Sequence, residues 1–168
     1  MQRVPIRELD SGQLEKVRIQ LQKALETGDK EVLFEISSRG GDHDEVFDLI
    51  TYLRTEKFQT SCIVTRAASA ASLLAISCGL RKIRKRGKMF LHAVEVTLPV
   101  TMVTETNRLP ESTVQKCRYR QRETESLIKQ RTKIPPAELA KMMAPGAQGR
   151  FDAESAVRWG LVDEVIDY

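Results

Sequence analysis

Thr65-Arg66-Ala67-Ala68-Ser69-Ala70-Ala71-Ser72-Leu73-Leu74-Ala75-Ile76 decides how the rest of the chain is read. The β-rich run Cys62-Ile63-Val64 enters it, and a small-residue, helix-forming run leaves it. Ser69 stands at the junction, flanked on both sides by alanines. Side chains that small let another backbone come close to the hydroxyl. The first turn of the following helix aims unpaired N–H groups and a partial positive charge at the same place. A strand–turn–Ser–helix junction can therefore hold a nucleophile and stabilise an oxyanion. The same composition suits a plainly buried Ala/Ser helix, so the surrounding residues must decide between the two.

Upstream, Leu14, Val17, Leu21, Ala24 and Leu25 recur with a helical period over residues 11 to 26. Ser11 is the expected N-cap and Gly28 the stop. Val32-Leu33-Phe34-Glu35-Ile36 reads as a buried strand. It runs into the tight loop Ser37-Ser38-Arg39-Gly40-Gly41, and Val46, Phe47, Leu49, Ile50 and Leu53 mark a second amphipathic helix. The Cys62–Val64 strand and the Ser69 helix follow, ending near Gly79. Alternating strands and helices imply right-handed crossovers and a parallel sheet, so the fold class is α/β. Gly40-Gly41 and Ser69 then both fall at the carboxyl edge of that sheet, where open α/β folds bind ligands.

Downstream, Arg81-Lys82-Ile83-Arg84-Lys85-Arg86-Gly87-Lys88 carries six basic residues in eight. No aromatic residues are interleaved to stack on bases, so a solvated hairpin is expected and no nucleic-acid partner. Met89-Phe90-Leu91 forms a short strand ending in His92, 23 residues after Ser69. Pro110 to Arg131 reads as a long helix whose apolar positions are nearly confined to Val114, Cys117, Leu127 and Ile128. So polar a helix is expected to project and to be steadied by a partner subunit. Pro135-Pro136 opens a short helix through Met143, and Pro145-Gly146 ends it. Asp152 caps a helix that Gly160 stops, and Leu161 to Ile166 reads as a final strand.

The 168 residues fit one domain, 1–168, with a composition (41% hydrophobic, 30% charged) ordinary for a soluble protein. Cys62, Cys78 and Cys117 are odd in number and lack metal-type spacing. They read as reduced thiols in a cytoplasmic protein. No apolar leader opens the sequence, and no apolar run is long enough to span a bilayer. No membrane association, metal or cofactor is expected.

These pieces, in this order, resemble the Clp protease proteolytic subunit (ClpP) family of the wider ClpP/crotonase fold, over roughly residues 30 to 166. The family's glycine-pair loop resembles Ser38-Arg39-Gly40-Gly41, and its Ala-Ala-Ser nucleophile motif resembles Ala67-Ala68-Ser69. Its strand-end histidine resembles Leu91-His92. Its C-terminal signature is similar to Ala153-Glu154-Ser155-Ala156-Val157-Arg158-Trp159-Gly160-Leu161-Val162-Asp163. The polar helix falls where the family has its handle, about residues 110–131. The resemblance implies repeated ββα/βα units with a projecting handle helix, and a ring-forming homo-oligomer that hydrolyses peptides or unfolded proteins. It implies Ser69 as nucleophile, His92 as general base, and the N–H groups of Gly41 and Ala70 as the oxyanion hole.

The chain departs from the family pattern at three places. The family's triad Asp falls near Gln148, in a stretch, Pro145-Gly146-Ala147-Gln148-Gly149-Arg150-Phe151, without a carboxylate. Gln148 could orient the imidazole but brings no charge, and Asp42, Glu95 and Asp152 are the carboxylates left to serve. Asp152 is better explained as a helix cap. Arg39 and Arg66 replace uncharged family residues; they either favour acidic peptides or, the preferred reading, pair with Asp42, Asp44 or Glu45. Only about ten residues precede the first helix, against the family's extra strand and axial loop, which counts against docking of an AAA+ unfoldase. The main alternatives are a catalytically impaired scaffold subunit and a crotonase-type acyl-CoA enzyme.

Overall fold

The computed structural model describes residues 1–95 and 110–167. Four strands, β1 (Gln2–Ile6), β2 (Glu31–Ser38), β3 (Gln59–Ala68) and β4 (Leu80–Leu91), lie side by side in that order, all parallel. Helices α1 (Ser11–Glu26), α2 (His43–Thr55) and α3 (Ala70–Ser77) make the crossovers between them. Parallel neighbours need such crossovers, since a tight turn can only reverse the chain. α1 packs on α2 and α2 on α3, while α4 (Glu111–Arg131) packs on α3. The α/β expectation and the alternation of βα units agree with this arrangement. One hydrophobic cluster runs from Val4 to Val162, with Phe34, Ile36, Leu49, Leu74, Ile83 and Leu91 at its most buried positions.

The second half of the chain completes the far edge of the sheet. α5 (Pro136–Met142) leads to β5 (Gly149–Asp152), which pairs antiparallel with Lys88–Leu91 of β4. α6 (Ala153–Arg158) then delivers β6 (Glu164–Ile166), which pairs parallel with Lys82–Arg84. β4 is thus shared lengthwise, β6 taking its first half and β5 its second. Asp152 caps α6 by accepting from the Ser155 N–H at 2.8 Å.

Three expectations need correction. Arg81–Lys88 is no hairpin but the body of β4: Ile83 and Gly87 face inward, and the register against β3 shifts between Val64 and Arg66 to absorb the extra residues. A Cβ on Gly87 would lie 2.5 Å from the Ile83 side chain and 2.9 Å from the Val64 carbonyl oxygen, so the offset needs glycine there. Three of the cations, Arg81, Lys82 and Lys85, are met by acids more than eighty residues away in sequence. Arg81 pairs with Asp163 at 2.6 Å, and Lys82 with Glu164 at 2.6 Å. The N-cap of α1 is Asp10, not Ser11, accepting from Gln13 N at 2.7 Å. The residues before α1 are also more than a short lead-in, because they include strand β1.

α4 is packed at one end. Thr124, Leu127 and Ile128 in its later turns are buried, while the earlier turns stay largely exposed. Arg131 near its C-terminus donates to the carbonyls of Ile76 and Cys78 at 3.2 and 2.5 Å, tying it to the end of α3.

Glycine packing gives a direct check on this fold. A Cβ at Gly41 would fall 2.1 Å from the Leu9 carbonyl oxygen, whereas at Gly12, inside α1, it meets nothing closer than 3.5 Å. Gly41→Ala should therefore destabilise by about 2 kcal/mol or more, and Gly12→Ala should stabilise by up to about 1 kcal/mol. Urea denaturation of the two variants against wild type checks both signs.

Candidate active site

Ser69 lies between β3 and α3 with φ 53° and ψ −128°, one of two non-glycine residues with positive φ among the described residues. Such a conformation costs a serine of order 1–3 kcal/mol and persists only where neighbours enforce it. Three neighbours are visible. The Ser69 N–H donates to the Phe90 carbonyl at 3.1 Å, and its own carbonyl accepts from Ser72 N at 2.9 Å. Gly40, at φ 109°, packs so closely that a Cβ there would sit 2.9 Å from the Ser69 Cβ.

The glycine loop is held from the other side as well. Leu9 N donates to the Gly40 carbonyl at 3.3 Å, and Asp42 N donates to the Leu9 carbonyl at 2.9 Å. The segment between β1 and α1 thus fixes the loop through Leu9. Ser38 accepts from Gly40 N through its hydroxyl at 3.1 Å. The N–H groups of Gly41 and Ala70 have no hydrogen-bond partner among the described residues. Ser72 has a different role: its buried hydroxyl lies 2.9 Å from the carbonyls of both Ala67 and Phe90, tying β3 to β4.

Ser69, His92, Gly41 and Ala70 line one cavity of about 470 Å³. No hydrogen bond joins the Ser69 hydroxyl to His92 among the described residues. The His92 Nδ1 lies 2.6 Å from the Ala93 carbonyl oxygen and 3.7 Å from Glu95 Oε1. Gln148 is not brought into this cavity. It is exposed, and its amide oxygen accepts from Arg150 Nε at 3.0 Å. Asp152 is committed to Ser155, and Asp42 caps α2 by accepting from Asp44 N and Glu45 N.

The two arginines do not pair as expected. Arg39 is exposed and lines the cavity, and Arg66 lies over the Phe90 ring at 5.6 Å; neither reaches Asp42, Asp44 or Glu45 among the described residues. The cause is α4, which presents Arg120 and Lys116 to Asp44 first. Both Nε and Nη2 of Arg120 donate to that carboxylate, and Lys116 Nζ stands 3.0 Å away. These two cations hold the Asp44 carboxyl far below the usual range. Glu45 meets Arg18 at 3.4 Å.

His43, Arg120 and Thr124 also line the cavity, and none stood out in the sequence. His43 lies two residues after Gly41, which is a signal. Its partner Thr124 is 81 residues away and left none. The His43 Nε2 is hydrogen-bonded to Thr124 Oγ1 at 2.9 Å, and the ring stacks on Phe47 at 4.5 Å. Its Nδ1 is buried without a hydrogen bond, the Asp44 carboxylate lying 3.6 Å off.

The family model described as Clp protease matches residues 6–168. No curated protein matches the chain.

His43 generates a pH prediction. Burial holds its imidazole below the ordinary 6.5, outweighing the upward pull of Asp44 and Glu123. As pH falls, the unfolded chain takes the proton first, so stability is lost from about pH 6.5 downward and levels off below the folded-state value. The carboxylates held low, Asp44 and Asp163, stay charged through that window. Thermal midpoints should fall between about pH 6.5 and pH 5, and His43→Gln should remove most of that slope.

Proposed function

The chain belongs to the Clp protease family, and on that footing we propose that it is a serine peptidase acting within a ring of identical subunits. Ser69 is the nucleophile and His92 the general base, and the substrates are peptides or unfolded proteins. The observation that carries this reading is the Ser69 backbone, a serine held at φ 53° where β3 meets α3, opening into the cavity that His92 shares. A residue that packs for stability alone gains nothing from that conformation.

In this reading the Ser69 Oγ attacks the scissile carbonyl carbon as its proton passes to His92 Nε2. A serine hydroxyl needs such a base before it is an effective nucleophile. Gly41 N–H and Ala70 N–H receive the oxyanion, each such donor being worth about 3–4 kcal/mol of transition-state stabilisation where one has been removed from an enzyme. His92 then gives its proton to the leaving amine, and water, deprotonated by the same imidazole, releases the acyl group from Ser69. The missing hydrogen bond between Ser69 and His92 is no obstacle, because such contacts tighten when substrate binds.

The ring is supported by α4. Its early turns carry few apolar residues and little packing, so contacts between subunits would supply their order. No described helix is long and apolar enough to cross a membrane. The three cysteines are free, Cys62 and Cys78 buried, and support a reducing, cytoplasmic setting.

A second reading is a ring subunit that keeps the scaffold without the chemistry. It is favoured by the exposed Gln148, whose amide oxygen is occupied by Arg150. Loss of a triad acid can lower turnover about 10⁴-fold. One experiment separates the two. A fluorophosphonate should label wild type on Ser69, Ser69→Ala should abolish labelling while keeping its denaturation midpoint, and Ser72 should carry no label. Label retained in Ser69→Ala, or none in wild type, would contradict the peptidase reading. Light scattering at micromolar concentration should show a large oligomer; a stable monomer would remove the ring.

A further inference from the structure

We infer that Glu95 stands in for the missing triad acid as a positioning residue for His92, with the Ala93 carbonyl fixing the tautomer. Its catalytic meaning rests on the Ser69–His92 reading above. The geometry starts where the chain leaves β4. The Ala93 carbonyl oxygen lies 2.6 Å from His92 Nδ1, and a carbonyl can only accept. Nδ1 therefore carries the proton in the neutral ring, and Nε2 keeps the lone pair a base requires.

That hydrogen bond sets orientation but adds no charge. Glu95 Oε1, 3.7 Å from the same Nδ1, is too far for a hydrogen bond and near enough to meet the charge that the ring gains when it takes the Ser69 proton. The segment is held in place from α4, because Val94 N donates to Gln121 Oε1 at 2.9 Å. Glu95 lines the cavity with His92, and among the described residues no lysine or arginine pairs with it. The other carboxylates of the neighbourhood are committed. Asp42 caps α2, Asp44 meets Arg120 and Lys116, and Asp152 caps α6. Arg39, His43 and Arg120 share the cavity, and none forms an ion pair or hydrogen bond with the His92 ring among the described residues.

The Glu95 side chain is 77% exposed, so its influence is that of a solvated charge, modest and screened. It gives His92 a weaker version of what a buried Asp supplies.

The test uses the full chain and two readouts, one of which needs no activity. The first is the His92 Cε1–H resonance followed against pH in wild type, Glu95→Gln and Glu95→Asp, with His43→Gln assigning the two histidine signals. The second is the rate of fluorophosphonate labelling at Ser69 across the same pH range. Glu95→Gln should slow labelling about two- to fivefold near neutral pH and change the His92 resonance, while Gln148→Ala changes neither. Glu95→Asp should fall between Glu95→Gln and wild type. A His92 resonance that is the same in Glu95→Gln as in wild type across the pH range would overturn the inference. So would a resonance that responds to Gln148→Ala instead. If wild type fails to label, the peptidase reading falls alone, because the resonance still decides whether Glu95 serves His92.

Discussion

The structure turns on a double close approach. Gly40 sits so near Ser69, and Gly41 so near Leu9, that a methyl group on either would strike its neighbour. Backbone is therefore packed against backbone on both sides of the loop, with hydrogen bonds from Leu9 and Asp42 closing the layer. Gly41 and Ala70 both line the cavity beside Ser69, and their N–H groups have no hydrogen-bond partner among the described residues. The positive φ of Ser69 and the glycine loop thus belong to one arrangement.

α4 enters this arrangement from outside. Arg120 and Lys116 grip Asp44, Thr124 meets His43, and Gln121 holds Val94. All three receivers lie within a few residues of the glycine loop or His92. A helix whose later turns bury Leu127 and Ile128 and whose early turns are exposed thereby touches both walls of the cavity. In the ring we propose, contacts that order the early turns of α4 would also steady the cavity.

Much of this was legible in the sequence, for physical reasons. The 3.6-residue period of α1 and α2, the buried run of β2 and the Ser69 junction are local signals, and the structure has each where expected. β1 was missed because Pro5 interrupts Val4 and Ile6; proline is tolerated there only because β1 is an edge strand. β4 was misread because its cations find Asp163 and Glu164 across the fold, and no local pattern announces a long-range pair. The glycine loop, Ser69 and His92 were readable as one sheet edge. The turn that sets Ala93 and Glu95 against His92 was not, since it depends on Gln121, 27 residues further on.

The central claim is that the glycine loop and the Ser69 junction together form an oxyanion site. A crystal structure of the chain after reaction with a fluorophosphonate tests it most directly. The account predicts a phosphonate bonded to Ser69 Oγ, with its oxygen about 2.7–3.1 Å from both Gly41 N and Ala70 N. A phosphonyl oxygen turned to solvent, with those two N–H groups unused, would contradict it.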